Sequence, residues 1–569
     1  MIKKRNKFIR IIALFLTLLI AVFSITACTN SKSNNLKPFQ RNNLALNLSK
    51  ANLKYFPGYE HYDATKFLKD CKTFEKLALS KSKTNRNRAW KIYDELYKDA
   101  VYVNDLTYTA EAGTYEDAQD EYFQKELTYI KKTSNEMNDA LKSICAKVCQ
   151  SKAKDEFKEH INNELLYKSY ESYKPLTGEL KDLMAKEAEL ENEYIVANDE
   201  IYALSDEEYN GKDANAKLGK IYLELVSVRK QIAKLKGYES FAQYAYEDLY
   251  QRDYTEEDLN ELKEAVKSVG ADIDYFAYYG FADYEMEGVK TEDVLSDVGY
   301  VISSFSNRAK DAYKFIRENN LITAGCESQR ADAQITYNLT STKSAIIMLK
   351  QSENAALYDY TTFAHEMGHF THMNLIANPN PLFTENGCLD VMECHSNFLQ
   401  VLFSLQSDMV FTQPDYFKAF AVTSLCYDVE SGCILDEWQK RIYDSKKDLT
   451  LDEINALYKE ICLEYGVEEY EEMEYDWMWV PHNFSEPMYY ISYATSEFTA
   501  LELWDIARND FNKGVEIWED VIFESPFEKG YHETMTNIGL SAFDEPGNAK
   551  TILDNAINYL KETEKALYE

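Results

Sequence analysis

The sequence predicts a mostly helical protein with one small β-hairpin. Only 10 Pro and 19 Gly occur among its 569 residues, so little interrupts long helices. Apolar residues recur at helical steps of three and four, as in the run Leu218, Ile221, Leu225, Val228, Ile232 and Leu235. Roughly 520 residues follow residue 48, which is more than one hydrophobic core usually accommodates, so we expect two lobes.

The first 27 residues are typical of a bacterial export signal. An apolar run over residues 11–25 follows a basic start made of Lys3, Lys4, Arg5, Lys7 and Arg10. The segment Ile25-Thr26-Ala27-Cys28 resembles a lipobox. We therefore expect lipid attachment at Cys28 and a chain anchored to the outer face of a bacterial cell membrane. The alternative is an uncleaved membrane helix, for which this apolar run is short.

Residues 28–48 are rich in Asn, Ser and Lys, and we expect a flexible tether there. Cleavage after residue 27 removes five positive charges and no acid, so the formal net charge changes from −34 to −39. A body this acidic is not expected to bind nucleic acid. Nine cysteines remain beyond Cys28 without a C-x-x-C pair, and their spacing leaves disulfide pairing open.

We expect a mainly helical lobe over residues 49–320 and a second lobe over residues 321–569. In the first lobe, Leu180–Leu204 and Leu218–Leu235 form a predicted helical hairpin, joined through the turn signal Asn210-Gly211. The narrow apolar seam of the second arm favours packing inside the protein over a role as a partner-binding arm.

A change of pattern marks residues 333–351, where Ile335, Tyr337 and Leu339 alternate with more polar residues and a second apolar run follows. This pattern predicts a β-hairpin. An edge strand there either binds an extended peptide backbone as an added strand or only covers the next helix, and the sequence leaves both open.

The helix expected after this hairpin contains His365-Glu366-Met367-Gly368-His369, an H-E-x-x-H segment. Positions four apart lie on one face of a helix, so His365 and His369 can point two imidazoles at one metal ion. Zinc suits such a pair, and Glu366 is placed to take a proton from a water at the metal. A buried structural histidine pair is the alternative.

Glu393 is the candidate third ligand, because it follows His365 by 28 positions in an apolar segment of helical spacing. A buried acid is rarely left without a cation. Asp390 lies one turn earlier and is expected to hydrogen-bond a ligand. His372 and His395 are rival ligands that we rank below Glu393.

Three segments together resemble the thimet oligopeptidase and oligoendopeptidase F family of helical zinc metallopeptidases, which cut short peptides inside a deep channel. They are HEMGHFTH at residues 365–372, the glutamate 28 positions after His365, and WVPHNFSEPMYYISYATS at residues 479–496. An upstream stretch, residues 237–255, belongs to the same resemblance. The thimet branch has a glycine-rich loop before the tyrosines, whereas this chain has Phe484-Ser485-Glu486-Pro487, which favours the oligoendopeptidase F side.

The resemblance implies a role for each matched residue. His365, His369 and Glu393 correspond to the ligands of one zinc ion per chain, and Glu366 corresponds to the general base. It also implies a two-lobed enzyme with a central channel, whose catalytic lobe is residues 321–569.

Substrate and the tetrahedral intermediate are expected to contact His482, Tyr490 and Tyr493, which match the family's residues for this task. The number of residues between His482 and the tyrosines leaves open whether Tyr489, rather than Tyr490, is the matching residue. Fixed phenol or imidazole donors are suited to the negative charge that develops on a peptide carbonyl under attack.

We therefore expect a zinc-dependent oligopeptidase that hydrolyses peptide bonds in short peptides. Two alternatives stay open. A lipid-anchored protein could bind peptides without cutting them, although such a protein has no use for Glu366. A dipeptidyl carboxypeptidase similar to angiotensin-converting enzyme shares HEMGH and a similar tyrosine spacing.

Overall fold

The computed structural model describes residues 50–568, except residues 203, 206, 207, 332, 333, 384–386, 542 and 544. The expected export signal, Cys28 and the tether to residue 48 lie outside the described residues. Within the described part of the chain, no helix combines the length and the apolar character needed to cross a membrane.

Five helices at the start of the described chain enclose a small aromatic core. Polar caps begin three of them, because Ser82, Asp120 and Asn163 accept hydrogen bonds from backbone N–H groups of the first turn. The core includes Phe74, Trp90 and other residues between 67 and 170. The helices are α1 (Thr65–Ala78), α2 (Lys83–Glu116), α3 (Glu121–Cys149), α4 (Lys154–Ile161) and α5 (Glu164–Ser172).

The predicted helical hairpin is confirmed by α6 (Gly178–Tyr202) and α7 (Gly211–Lys236). Asn210 caps the start of α7 by accepting a hydrogen bond from the Asp213 N–H, and Gly237 ends the helix with a φ of 96°. The apolar seam of α7 is buried except at its last predicted member, Leu235.

Short helices and two π-helical turns lead from the hairpin to the sheet. The π-helical turns are Ala245–Leu249 and Phe276–Gly280, and each continues the helix before it. The helices are α8 (Phe241–Tyr244), α9 (Asn260–Tyr275), α10 (Thr291–Phe305) and α11 (Asn307–Glu318).

A three-stranded sheet follows, with β3 (Ser344–Lys350) between β1 (Ile322–Gly325) and β2 (Gln334–Leu339). The antiparallel pair of β2 and β3 confirms the predicted hairpin. The parallel strand β1 is not predicted, because four residues are too few to show a period of two. Of the two hairpin strands, β2 lies at an edge of the sheet.

The rest of the chain is helical. A capping box formed by Thr450 and Glu453 opens the helix Leu451–Glu464. The helices are α12 (Leu357–Leu375), α13 (Leu389–Leu405), α14 (Pro414–Asp444), α15 (Leu451–Glu464), α16 (His482–Ser485), α17 (Ile491–Ala507), α18 (Phe511–Phe523), α19 (Tyr531–Asn537) and α20 (Asn548–Tyr568). Two 3-10 turns, Ser407–Met409 and Met473–Trp479, interrupt the series.

Beside the small aromatic core, a large apolar core runs through both predicted lobes. It contains residues of α7 and α9 together with residues of α12, α13, α14 and α17. The mostly helical class with a small sheet is thus confirmed, while the lobe boundary at residue 320 stays a prediction. The nine cysteines among the described residues are all free thiols, and eight of them are buried.

The turn between β2 and β3 depends on a buried carboxylate of α2. Asp105 accepts hydrogen bonds from the Thr340 N–H at 3.1 Å and the Ser341 N–H at 2.8 Å.

We predict that Asp105→Ala lowers the free energy of unfolding by about 2 kcal/mol, because both N–H groups lose their acceptor. Thermal denaturation measures the change, with the exposed Glu95→Ala as control, expected within about 0.5 kcal/mol of wild type. Equal losses in the two variants would contradict this role.

Candidate metal centre and active site

The two histidines of H-E-x-x-H lie on one face of α12, as their spacing predicts. The ring centroids of His365 and His369 are 4.8 Å apart, and the ring planes are inclined by 80°. The side chains of His365 and His369 are 19% and 12% exposed, so both are partly accessible to solvent, whereas most other residues of α12 are buried. This placement lets both rings serve as ligands of one metal ion.

Close packing of α12 against α13 depends on Gly368, between the two histidines. A Cβ atom at this position would lie 2.5 Å from the His395 carbonyl oxygen and 2.5 Å from the Ser396 Cα. Those neighbours are backbone atoms, which cannot turn aside as a flexible side chain can. A glycine is therefore required for the two helices to cross at this distance.

The close crossing brings Glu393 of α13 to both histidines. Its Oε2 atom lies 3.3 Å from His365 Nε2 and 3.5 Å from His369 Nε2. Ligands placed 2.0–2.1 Å from a tetrahedral zinc ion are about 3.3 Å from one another, so this set of donors fits zinc. Burial alone raises the pKa of Glu393, but the imidazoles of His369 and His365 hold it well below its usual range.

The rival histidines lie elsewhere. His372 and His395 stack on each other with ring centroids 3.8 Å apart, and both are buried. A ring nitrogen of His372 hydrogen-bonds the Ile522 carbonyl at 2.9 Å, and one of His395 the Val521 carbonyl at 3.1 Å. Among the described residues, the histidine, cysteine and acidic side chains that converge as a possible metal site are His365, His369 and Glu393 alone.

Glu366 lies beside this group, and a strand residue holds it. Thr336 of β2 donates a hydrogen bond to Glu366 Oε2 at 2.6 Å. The other carboxylate oxygen has no hydrogen bond to the described residues. The edge strand of the sheet thus orients Glu366 and leaves one of its oxygens available to accept a proton.

Asp390 does not contact a metal ligand directly, which differs from our expectation. It accepts hydrogen bonds from Tyr254 at 2.6 Å, Thr495 at 2.6 Å and Ser492 at 3.0 Å, and Arg252 Nε lies 3.8 Å from it. The turn of helix before Glu393 directs this side chain towards α17 instead. Asp390 therefore joins α13 to α17 and positions Glu393 through the helix.

Arg252 is a buried cation that anchors the segment before α17. It donates hydrogen bonds to the Met488 carbonyl at 3.0 Å and to Ser492 at 2.9 Å, and it lies over the ring of Tyr250 at 4.6 Å. Met488 has a φ of 65°, an unusual backbone conformation for a residue with a side chain. Arg252 thereby stabilises the turn that directs Tyr489 towards the metal ligands.

Tyr489, rather than Tyr490, contacts a metal ligand. Its hydroxyl donates a hydrogen bond to Glu393 Oε1 at 3.1 Å, so both carboxylate oxygens of Glu393 have polar neighbours. Tyr493 packs edge-on against Tyr489 and Tyr490, with ring centroids 5.1 Å away in each case. Burial raises the pKa of all three tyrosines well above the ordinary value, so each hydroxyl keeps its proton and can donate it in a hydrogen bond.

His482 lies within this group of tyrosines. Its ring stacks on Tyr489 at 5.3 Å and meets Tyr490 and Tyr493 edge-on at 5.2 and 6.0 Å. Burial lowers the pKa of His482 to about 4, so the ring is neutral near pH 7 and one of its nitrogens carries a proton to donate. Neither ring nitrogen makes a hydrogen bond to the described residues, and Glu486 Oε2 lies 3.4 Å from Nε2.

Arg229 of the α6–α7 hairpin holds the segment that follows His482. Its guanidinium is fully buried, pairs with Glu187 at 2.8 Å and Glu191 at 3.2 Å, and donates to the carbonyls of Asn483 and Phe484. The predicted internal packing of the hairpin is confirmed, and its contribution to the site is to position α16.

Two more acids lie close to the ligands and are not predicted from the sequence. Glu497 of α17 and Asp428 of α14 interact electrostatically with each other, Glu497 with Glu393 and Asp428 with His365. Burial raises the pKa of both carboxyls well above the ordinary range. Acids that interact with His365 and Glu393 in this way favour a cation between those donors.

We predict that Gly368→Ala lowers zinc affinity at least about tenfold, because the methyl group separates α12 from α13 and moves Glu393 away from the histidines. Competition with a coloured chelator measures the affinity. Asn374→Ala, on a half-buried position of the same helix, is the control and is expected to bind zinc as the wild type does. Unchanged affinity in Gly368→Ala would show that the helix crossing does not control the ligand group.

No family model and no curated protein matches this sequence. Solved structures do match it. The chain is similar to a structure assigned as an oligoendopeptidase F, with a TM-score of 0.71 and 16% identity over 89% of this chain and 98% of that chain. PZ peptidase A with an inhibitor matches with a TM-score of 0.69 and 15% identity, over 89% of this chain and 99% of that chain.

A carboxypeptidase from Deinococcus radiodurans also matches, with a TM-score of 0.57 and 11% identity over 84% of this chain and 99% of that chain. At identities this low, the structural matches establish the fold and nothing further. The chain has the helical fold of these peptidase structures, in agreement with the resemblance that its sequence shows to the oligoendopeptidase F family.

Proposed function

We propose that this protein is a zinc-dependent oligopeptidase of the oligoendopeptidase F type, which hydrolyses peptide bonds in short peptides. The observation that carries the proposal is the convergence of His365, His369 and Glu393 at ligand distances, with Glu366 beside them. A peptidase fold and a group of donors that fits zinc support the same conclusion.

His365, His369 and Glu393 would hold one zinc ion per chain. A zinc ion bound there supplies a Lewis acid that polarises the peptide carbonyl and lowers the pKa of a water molecule. Tyr489 holds Glu393 in its ligand orientation through the hydrogen bond to Oε1. Outer hydrogen bonds of this kind commonly tune metal affinity.

Glu366 acts as the general base. Its oxygen that is not bonded to Thr336 accepts a proton from the attacking water, and the same carboxyl then returns the proton to the leaving amine. Thr336 keeps the carboxylate from rotating away during this exchange, because its hydroxyl is 2.6 Å from the other oxygen.

Negative charge on the carbonyl oxygen is stabilised by His482 and Tyr493. His482 is neutral and carries one N–H group that makes no hydrogen bond to the described residues, and Tyr493 is the half-buried member of the tyrosine group. Donors fixed before the reaction need no reorganisation when the charge develops. We assign Tyr490 to contact with the substrate, since its ring packs against both His482 and Tyr493.

The outer edge of β2 is the proposed site for the substrate backbone. No described strand pairs with that edge, and Thr336 of the same strand contacts the general base. A peptide added there as a fourth strand would pass the metal ligands in an extended conformation. Folded proteins cannot extend in this way, so short peptides are the substrates.

The enzyme cuts either inside peptides or near their ends, and a direct test separates the two. Cleavage near an end stays an alternative because the fold is also similar to that of a carboxypeptidase. Export and lipid attachment at Cys28 rest on residues outside the described part of the chain and stay predictions.

We predict that Glu366→Gln lowers kcat about 10³-fold on a mixed library of short peptides, because the general base is lost, while zinc stays near one per chain. Mass spectrometry of the products separates internal from terminal cleavage. The matched control is Glu353→Gln, an exposed acid before α12, which is expected to keep full activity. Peptides that bind the wild type without being cut, with no zinc present, would favour the peptide-binding lipoprotein.

Paired tyrosine variants separate the two assigned roles. Tyr493→Phe is expected to lower kcat about 10²-fold, since the oxyanion loses a donor, and to change zinc affinity less than Tyr489→Phe does, since its hydroxyl meets Tyr489 rather than Glu393. Tyr489→Phe is expected to lower zinc affinity about tenfold, since Glu393 loses its hydrogen bond. Steady-state kinetics and chelator competition give the two readouts. A large loss of kcat in Tyr490→Phe but not in Tyr493→Phe would reassign the oxyanion donor.

A further inference from the structure

A pocket beside the candidate active site is lined by acids and tyrosines. It lies between α9, α14, α15 and the segment that leads to α16, and its volume is about 690 Å³ including the space that opens to solvent. Three acids line it, Asp274, Glu430 and Asp476, and no lysine or arginine of the described chain does. The reactions assigned above make no use of this pocket.

Glu430 is the residue that points to a ligand. It is 2% exposed, and its Oε1 atom has no hydrogen-bond partner among the described residues. Burial, and then the neighbouring Asp274 carboxylate, raise the pKa of Glu430 well above its ordinary value. A buried carboxyl group without a partner costs free energy, which a cation in the pocket would recover.

The two lysines of α9 are engaged elsewhere. Lys263 of α9 pairs with Asp436 at 2.7 Å, and Lys267 pairs with Glu264 at 3.3 Å and Glu437 at 3.5 Å. Neither lines the pocket. Glu430 is therefore a buried carboxyl group of this pocket that neither lysine of α9 pairs with.

Aromatic walls suit the same kind of ligand. Tyr278, Tyr427, Tyr458 and Tyr470 line the pocket together with Tyr490. The faces of phenol rings attract ammonium and guanidinium groups, and their hydroxyls accept hydrogen bonds from them. The apolar side chains Ile434 and Leu435 are also present and can contact an alkyl chain.

Tyr490 connects the pocket to the proposed catalytic group. It lines the pocket, and its ring centroid lies 5.2 Å from that of His482 and 5.1 Å from that of Tyr493. A single tyrosine ring thus separates the pocket from the proposed oxyanion donors. An extended peptide advances about 3.3–3.6 Å per residue, so a side chain within a few residues of the scissile bond reaches this far.

We propose that this pocket binds a cationic group of the peptide substrate, and that Glu430 and Asp274 make the enzyme prefer substrates with a lysine or arginine near the cleaved bond. The inference rests on the proposed peptidase function and adds the class of substrate. The free amino terminus of a peptide carries the same charge, so the test separates it from a side chain.

The test uses quenched fluorescent peptides of equal length that differ at one position, with Lys, Arg or norleucine there, each with a free and an acetylated amino terminus. The position of the variable residue is moved along the peptide. At the position with the largest effect, we expect kcat/KM for the Lys peptide to be about ten times that for the norleucine peptide. In Glu430→Gln and in Asp274→Asn, we expect this ratio to fall to about one. This ratio cancels any general loss of active enzyme.

Glu460→Gln is the matched control, because it removes the same charge from an exposed position of α15, and it should keep the wild-type ratio. Hydrolysis with no preference for a basic residue at any position, or a preference that Glu430→Gln leaves intact, would overturn the inference but not the peptidase. A preference abolished by acetylation would assign the pocket to the amino terminus instead of a side chain. A wild type that cuts no peptide would overturn the proposed function itself, and with it this inference.

Discussion

The crossing of α12 and α13 at Gly368 is the contact on which the site depends. The two histidines belong to one helix and the glutamate to the other, so the separation of the helix axes sets the distance between the three donors. Backbone atoms of α13 fill the place that a side chain at residue 368 would need. The same contact buries both helices in the large apolar core, which gives the ligands a rigid support.

Buried polar groups extend this support to the elements around it. Asp390 ties α13 to α17 through the hydroxyls of Ser492 and Thr495, and Arg252 ties the turn before α17 to the same carboxylate. Arg229 performs a similar task for the segment after His482. An arginine suits both places, because its planar fork donates in several directions and can hold carbonyl groups and carboxylates together.

Local patterns were sufficient to predict the helical class, the hairpin of α6 and α7, and the antiparallel pair of β2 and β3. The placement of His365 and His369 on one face follows from the helical repeat. Glu393 was harder to predict as a ligand, and it was singled out because it lies in an apolar segment of helical spacing. The strand β1 escaped prediction, because its four residues show no period and its partner strand comes later in the chain.

Other features escaped prediction because they are contacts between distant elements. Nothing in the residues near Thr336 indicates that it holds Glu366, which lies on a different element. Asp390 was expected to face a ligand, yet the direction of its side chain is set by how α17 packs on α13. Which of Tyr489 and Tyr490 lies against Glu393 is a contact of the same kind, and Tyr489 is the one that donates to Glu393 Oε1. Which of the two contacts the substrate stays a prediction.

The sequence by itself determined the helices, the sheet hairpin and the candidate metal donors, because helical and strand periods and the spacing of H-E-x-x-H are properties of neighbouring residues. Only the tertiary structure decided which oxygen of Glu393 faces the histidines, which tyrosine holds it, and which acids and tyrosines line the pocket at Glu430. Those features depend on distances between segments up to hundreds of residues apart, and such distances are set by packing in the core rather than by any local pattern.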